Sequence, residues 1–286
     1  MDIINLSKVY RKHKVLDIEQ LHIKEGRIYA VVGENGAGKT TLFKILAGLV
    51  VPTSGHIEFS EDKNKIGIMI EAPAIELTMS AEENLRWASK LYGEENCQDI
   101  QTILKLVNLN GIHRKAKTFS MGMKQRLGID MSLIHKPNIL ILDEPMNGID
   151  PQGMMELRKV LLEINKNGTT IILSSHILAE LYKLATDYIF IKEGRIIQTN
   201  RYEDFVKGRS LRYKIVTSDN EKANTILSDK FDCITHAENN EIFFCTESEN
   251  IFDMSKELAE AGVYILELSR QEFDVEAYYV EVMSKL

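Results

Sequence analysis

No apolar run in this sequence of 286 residues reaches the roughly 18 to 20 residues that a helix needs to cross a bilayer. The first residues, MDIINLSKVYRKHK, also lack the apolar core of a signal peptide. Together these two absences predict a cytoplasmic protein that has no membrane-spanning segment of its own.

Cysteines are few, and positive charge is not in excess. The three cysteines lie far apart and lack the spacing of a metal site, so we expect reduced thiols that serve in packing. The formal net charge of -7 argues against a nucleic-acid partner, because polyanions are bound by clustered lysine and arginine. No nucleic acid is therefore expected as the main partner.

The negative charge is concentrated towards the C-terminus. Residues 208–286 contain 8 basic and 16 acidic residues, whereas the segment before them is nearly balanced. The apolar fraction of 44% is ample for a buried core. We therefore predict two domains, 1–207 and 208–286.

A glycine-rich segment near the N-terminus separates a predicted strand, Ile28–Val32, from a predicted helix, Thr40–Ala47, that Gly48 ends. Its pattern is GxxxxGKT, in which backbone N–H groups surround phosphate oxygens, the lysine reaches the β and γ phosphates and the threonine hydroxyl binds Mg²⁺. The candidate residues are Gly33, Asn35, Gly36, Ala37, Gly38, Lys39, Thr40 and Thr41. A glycine-rich turn without chemical purpose is the alternative, and the flanking strand and helix argue against it.

Two carboxylates end a second apolar run, Ile139–Leu142. A phosphate site needs oxygen ligands for Mg²⁺ and a partner for the attacking water. We assign Asp143 to the Mg²⁺ shell and Glu144 to the water that faces the γ phosphate. An acidic pair at a strand end can also be a solvated turn, but the phosphate loop favours the catalytic interpretation.

A third predicted strand, Thr170–Leu173, comes just before His176. An imidazole at that place in the same sheet can hydrogen-bond the γ phosphate and so sense whether it is present. A structural role is the alternative for a lone histidine at a strand end.

Taken together, these motifs resemble the nucleotide-binding subunit of an ABC transporter, over about Ile3 to Thr199. The resemblance also rests on the signature FSMGM at 119–123 and on the turn NGID at 147–150, which ends in Asp150. It implies an α/β fold with a P-loop NTPase core of the RecA type, an antiparallel β subdomain and a helical subdomain at about 72–136. It also implies ATP and Mg²⁺ as cofactors.

The signature begins a predicted helix. In the family, its serine and glycine, here Ser120 and Gly122, close over the γ phosphate held by a second subunit, so that a head-to-tail dimer encloses two ATP molecules. A helix N-terminus suits this task because its N–H groups and dipole attract anions. The sequence differs from the frequent form LSGGQ at Phe119, Met121 and Met123. It resembles subunits that export bacitracin and lantibiotic peptides or give immunity to them, and a drifted signature is the alternative.

Glu71 stands where the family carries a glutamine that touches Mg²⁺ or the attacking water. This glutamate again resembles the bacitracin and lantibiotic group. A carboxylate there can ligate Mg²⁺, but it would repel the phosphates without the metal. Glu71 is thus a catalytic and metal-binding candidate, and we expect it to couple nucleotide state to the membrane partner. The alternative is a surface glutamate before a turn at Ala72 and Pro73.

Tyr10 matches the aromatic residue that stacks on adenine in this family. An ordinary edge-strand tyrosine is the alternative. Helices predicted over Thr78–Leu91 and Ile100–Leu109 fill the helical subdomain, and Trp87 is expected to pack there. In the family this subdomain presents a groove to short cytoplasmic helices of the permease.

The C-terminal segment matches no motif, but its pattern predicts the order βαββαβ of a small ferredoxin-like α+β domain. The predicted strands are Leu211–Val216, Cys233–His236, Ile242–Cys245 and Val263–Leu268, and the predicted helices are Glu221–Leu227, Ile251–Ala261 and one last helix.

The predicted function is ATP hydrolysis that powers export of, or resistance to, an antimicrobial peptide through a separate transmembrane permease. The expected partners are that permease and a second copy of the ATPase, at the cytoplasmic face of the cell membrane. One alternative is a soluble ABC ATPase of DNA repair or translation, which usually has long heptad segments or two cassettes. The other is a P-loop kinase, for which the signature helix and His176 have no use.

Overall fold

The computed structural model describes residues 1–59, 65–93, 100–202, 211–231, 234–238, 241–246, 251–270, 279 and 282–283. The chain divides into two compact units, Met1–Arg201 together with Tyr279–Leu286, and Tyr202–Tyr278. The boundary predicted between residues 207 and 208 lies outside the described residues, as do Cys97 and Cys233.

The first unit begins with a three-stranded antiparallel sheet of order β2-β1-β4. Its strands are β1 (Asp2–Tyr10), β2 (His13–His22) and β4 (Ser54–Glu58). Apolar side chains alternate along β1 and β2 and are buried against the core, which is the pattern of a sheet with one solvated face. This sheet is the predicted antiparallel β subdomain.

The second sheet has the order β5-β6-β7-β3-β8-β9, in which the first five strands are parallel and β9 is antiparallel to β8. The strands are β3 (Ile28–Val32), β5 (Ile66–Met69), β6 (Ile139–Leu142), β7 (Thr170–Ser174), β8 (Asp187–Lys192) and β9 (Arg195–Arg201). The predicted bounds of β3 and β6 are confirmed, and β7 is one residue longer than predicted.

The parallel sheet brings the candidate residues to one edge. Every residue of β3, β6 and β7 is buried, because both faces of the sheet are covered, one of them by α1 and the antiparallel sheet. The carboxyl ends of neighbouring parallel strands meet at the same edge, where ligands bind in open α/β sheets. The glycine-rich loop follows β3, the two carboxylates follow β6, and His176 follows β7.

Six α-helices lie between residues 39 and 182 in the described part of the first unit. They are α1 (Lys39–Leu46), α2 (Ala81–Leu91), α3 (Ile100–Leu106), α4 (Met121–Leu133), α5 (Pro151–Lys166) and α6 (Leu178–Tyr182), with a short 3-10 helix over Ala116–Thr118. The segment from α2 to α4 is the predicted helical subdomain. None of the helices in the described residues is long and apolar enough to span a membrane.

Helix α2 begins at a capping box. Ser80 accepts the backbone N–H of Glu83, and the Glu83 carboxylate accepts the backbone N–H of Ser80. The hydrogen bond that the Glu83 carboxylate accepts from the Ser80 backbone N–H, together with one from the Lys115 side chain, lowers the pKa of Glu83 to about 2. Trp87, which is expected to pack in this subdomain, lies on α2 and is 42% exposed. Leu91, the last residue of the helix, is 67% exposed.

The second unit is a four-stranded antiparallel sheet of order β11-β12-β10-β13. Its elements are β10 (Leu211–Thr217), α7 (Asn220–Phe231), β11 (Ile234–Glu238), β12 (Glu241–Thr246), α8 (Ile251–Glu260) and β13 (Ile265–Arg270). Both helices pack on the sheet through a small apolar core. The predicted ferredoxin-like order is confirmed. The predicted last helix falls mainly on residues outside the described ranges.

One buried charge-bearing residue in α4 was not predicted. The Asp130 side chain is fully buried, and neither of its carboxylate oxygens has a hydrogen-bond partner in the described structure. Burial raises the pKa of Asp130 well above its ordinary value of 3.8, and the positive charge of Arg126 opposes this only in part. The folded chain therefore holds Asp130 with its proton at a pH where the unfolded chain has released it.

Replacing Asp130 with alanine is expected to stabilise the fold. The substitution removes a buried polar group without a partner, a gain of about 1–3 kcal/mol. Because the folded pKa is raised, the unfolded state loses its proton first as the pH rises above 3.8, and the stability of the parent falls. The advantage of Asp130→Ala should therefore grow between pH 5 and pH 8, measured as the thermal unfolding midpoint. Glu19→Ala, at an exposed position, is the control, and equal pH dependence of parent and Asp130→Ala would contradict the assignment.

Candidate active site

The glycine-rich loop between β3 and α1 is packed tightly against its neighbours. Gly38 has a φ of 103°, and a Cβ there would lie 2.8 Å from the Leu16 side chain and 2.9 Å from the Val15 carbonyl oxygen. A Cβ at Gly33 would overlap the carbonyl oxygen of Ile191. Only glycine satisfies both the backbone conformation and the lack of space, so the loop is held in a curled form.

Lys39 is the first residue of α1, and its side chain is almost fully buried inside the loop. Its Nζ donates to the carbonyl oxygens of Gly33 at 2.7 Å and Glu34 at 3.0 Å. The ammonium group thus lies within the curl of the loop, beside the N-terminus of a helix. This combination of a cation and free backbone N–H groups is suited to a phosphate group.

Asp143 lies at the centre of a hydrogen-bond network between three elements. The Thr40 hydroxyl donates to Asp143 Oδ2 at 2.7 Å, and the Ser174 hydroxyl donates to Asp143 Oδ1 at 2.6 Å. Ser174 Oγ also accepts the backbone N–H of Glu144 at 2.9 Å. The network fixes a carboxylate beside a hydroxyl, and this pair of oxygen ligands fits Mg²⁺, which takes few protein ligands and completes its shell with water and phosphate.

Glu144 and His176 form a second contact at the same edge. Glu144 Oε2 lies 2.8 Å from His176 Nδ1 and also accepts the backbone N–H of His176 at 3.2 Å. Glu144 has a φ of 50°, a left-handed conformation that is uncommon for a residue with a side chain. Strained backbone of this kind concentrates at functional sites, where surrounding contacts hold it.

A cavity of about 240 Å³ brings most of these residues together. Its lining consists of Val15, Asn35, Gly36, Gly38, Lys39, Thr40, Thr41, Asp143 and Glu144. The structure thus places the predicted phosphate loop and both predicted carboxylates around one space. Chemically this arrangement can bind a phosphate chain, hold a divalent cation and offer a carboxylate to a water molecule.

Tyr10 lies at the end of β1, and its ring is half exposed. Lys8 Nζ lies 5.0 Å from the ring centroid, in a cation–π contact, and also donates to the carbonyl oxygen of Val51 at 2.7 Å. Tyr10 is not among the described residues that line the cavity. Its stacking role stays a prediction.

The structure does not bring Glu71 into this cavity. Its carboxylate Oε1 instead accepts a hydrogen bond from Lys44 Nζ at 2.6 Å. That hydrogen bond lowers the pKa of Glu71 and raises the pKa of Lys44. Lys44 was not singled out from the sequence, and neither was Ser174. Helical spacing from Thr40 and a hydroxyl at the end of β7 are the signals that could have found them.

The signature residues lie together with the turn before α5. Ser120 caps α4 by accepting the backbone N–H of Met123, and Asp150 caps α5 by accepting that of Gly153. A Cβ at Gly122 would lie 3.2 Å from the Ile149 side chain. Ser120 and Asp150 are exposed, and none of these residues is among the described lining of the cavity. They form a separate surface of the same chain.

Comparisons with known proteins give a consistent result. The family model described as ABC transporter matches residues 16–147. The chain is 36% identical over 293 residues to the bacitracin transport ATP-binding protein BcrA of Bacillus licheniformis, which covers 98% of this chain and 95% of that protein. It is 44% identical over 213 residues to the lantibiotic transport ATP-binding protein SrtF of Streptococcus pyogenes, with coverage of 71% and 91%.

A solved structure gives the same indication. The structure of cbiO1 from Clostridium perfringens, part of the ABC transporter complex cbiONQ, superposes with a TM-score of 0.65 at 25% identity. The superposition covers 80% of this chain and 94% of that one.

Proposed function

Because the chain belongs to the ABC transporter family as an ATP-binding and ATP-hydrolysing subunit, we propose that it powers export of, or resistance to, an antimicrobial peptide of the bacitracin or lantibiotic type. A separate transmembrane permease would carry the peptide. The observation that carries this assignment is the likeness to the bacitracin transport protein over 98% of the chain, which includes both units. The similarity to transport proteins favours this function over a non-transport ATPase.

The cavity supports a direct route for ATP hydrolysis. The loop amides and Lys39 would bind the β and γ phosphates, and Thr40 and Asp143 would hold Mg²⁺. When bound, Mg²⁺ would supply positive charge that offsets the negative charge developing on the phosphates. Glu144 orients a water molecule towards the γ phosphate and accepts its proton.

His176 supports Glu144 in this scheme. Its backbone N–H and its Nδ1 both contact Glu144 Oε2, so the histidine orients the carboxylate that receives the proton. When both ring nitrogens carry a proton, Nδ1 donates to Glu144 and Nε2 can donate to the γ phosphate. His176 thereby links the presence of the γ phosphate to the orientation of the Glu144 carboxylate.

The site is proposed to be completed by a second copy of the chain. Ser120 and Gly122 begin α4, where unpaired backbone N–H groups and the helix dipole attract an anion. Ser120 is exposed and lies apart from the described cavity lining of its own chain, which supports a role towards the partner's phosphates. Two copies arranged head to tail would each complete the site of the other.

The permease is proposed to dock on the helical subdomain. Trp87, Leu91 and Tyr92 are exposed there on and just after α2, and Leu77 is exposed just before it. Trp87 and Leu91 are four residues apart and share one face of α2, and exposed apolar side chains on one face are typical of a protein interaction surface. Docking would hold the chain at the inner face of the cell membrane.

Resistance in cells tests the proposed function. A susceptible strain that expresses this chain with its permease is expected to gain resistance to bacitracin or to a lantibiotic. The variant Glu144→Gln should return the minimal inhibitory concentration to that of the strain without the transporter, because transport requires hydrolysis. Unchanged susceptibility to all such peptides, with a permease that co-purifies with the chain, would leave the ATPase assignment intact and overturn the peptide assignment.

A further inference from the structure

The contact between Lys44 and Glu71 joins the phosphate-binding helix to the loop after β5. Lys44 lies four residues after Thr40 in α1, so the two side chains share one face of the helix. Lys44 Nζ lies 2.6 Å from Glu71 Oε1, and the side chains are 34% and 68% exposed. The helix that presents the Mg²⁺ ligand Thr40 therefore also holds Glu71, one turn further on.

The backbone at Glu71 is strained. Glu71 has a φ of 68°, and the backbone N–H of Ala72 donates to the carbonyl oxygen of Ile70 at 3.0 Å. This closes a three-residue turn around a residue with a left-handed conformation, a rare and costly arrangement outside glycine. Strained turns persist only where the surrounding structure holds them, and the bond to Lys44 fixes the Glu71 side chain at this turn.

The charged groups around Lys44 explain why its ion pair with Glu71 can break when a metal ion binds. The hydrogen bond to Glu71 raises the pKa of Lys44 most, and the negative charge of Asp143 adds a smaller effect in the same direction. An exposed ion pair contributes little to stability, so this one can be broken when a stronger cation arrives. A divalent ion held between Thr40 and Asp143 would be that competitor, since carboxylates are ligands that Mg²⁺ prefers.

We propose that Lys44 is a positioning residue that holds the Glu71 carboxylate away from the phosphates in the nucleotide-free chain and releases it when Mg²⁺ and nucleotide bind together. This inference rests on the proposed function, because it assumes that Glu71 reports nucleotide state. The strained turn relaxes on release, and the loop between β5 and α2 then moves towards the metal. Lys44 thereby makes the response of this loop depend on the metal and not on the nucleotide alone.

The Mg²⁺ dependence of ATP binding tests the proposal. Lys44→Met leaves Glu71 unpaired, so its charge repels ATP when Mg²⁺ is absent but binds the metal when it is present. The ratio of the ATP dissociation constants without and with Mg²⁺, measured by calorimetry, is expected to rise about five-fold. Lys44→Arg should restore the parent ratio. Lys115→Met, which removes an exposed ion pair to Glu83 at 3.1 Å, is the matched control and should change nothing.

A double-mutant cycle separates the contact from general loss of positive charge. In the background of Glu71→Gln, Lys44→Met should no longer change the ratio, because no carboxylate remains to be held. Hydrogen exchange of the nucleotide-free chain gives a second measurement, and the Ala72 amide should exchange faster in Lys44→Met. If Lys44→Met leaves the ratio unchanged and binds ATP normally in Mg²⁺, the proposed role of Lys44 is wrong while the proposed function stands. A parent chain that fails to bind ATP in Mg²⁺ would overturn the proposed function with it.

Discussion

Glu144→Gln is expected to lower the rate of ATP hydrolysis by about 100- to 10,000-fold, the usual contribution of a general base. The amide keeps the shape of the carboxylate and can still contact His176, but it cannot accept a proton from water. ATP should still bind, because the phosphate loop and the Thr40–Asp143 pair are untouched. With ATP bound and not consumed, the chain should accumulate as a dimer. Phosphate release and light scattering measure the two effects.

A neighbouring glutamate offers the control for this experiment. Glu193 also has a left-handed backbone, with a φ of 47°, and lies beside Gly194, whose N–H donates to the Ala37 carbonyl oxygen of the phosphate loop. Glu193→Gln thus removes a similar charge near the loop without touching the proposed base. Normal hydrolysis by Glu144→Gln would contradict the assignment of the base. A monomer with ATP bound would contradict the assembly across two copies.

The parallel core could be predicted because its signals are local. A strand that is buried on both faces must be apolar throughout, so β3 and β6 are visible as short apolar runs with turn residues at each end. The same logic places the chemistry, because polar residues directly after such strands must lie at one edge of the sheet. Asp143, Glu144 and His176 were found in this way, and the phosphate loop was found by its GxxxxGKT pattern between β3 and α1.

Contacts that depend on packing between distant segments were not predictable. Apolar periodicity does not fix how much of a side chain is covered, and the 42% exposure of Trp87 could not be read from its spacing. The pairing of Glu71 with Lys44 depends on a turn whose backbone is strained, and composition carries no signal for strain. The burial of Asp130 opposes the ordinary preference of carboxylates for water, so the sequence pattern points the other way.

Lys39→Ala is expected to weaken ATP binding by about 10- to 150-fold, with the largest loss for the γ phosphate. A hydrogen bond to a charged group is worth about 1.5–3 kcal/mol, and each 1.4 kcal/mol corresponds to a factor of ten in the dissociation constant. Lys39 Nζ is already held within the loop by two carbonyl oxygens, so little side-chain freedom is lost when phosphate binds. Calorimetry with ATP, ADP and AMP measures the loss for each phosphate.

The same carbonyl contacts require a check on folding. Without the ammonium group, the carbonyl oxygens of Gly33 and Glu34 lose their donor, and the loop could open for that reason alone. The tight packing of Gly33 against Ile191 and of Gly38 against β2 opposes such an opening. An unchanged unfolding midpoint of the nucleotide-free variant, together with weaker ATP binding, therefore assigns the effect to phosphate recognition. Lys159→Ala, at an exposed position on α5, is the control and should bind ATP normally. Normal ATP binding by Lys39→Ala would contradict the assignment of Lys39 as a phosphate-binding residue.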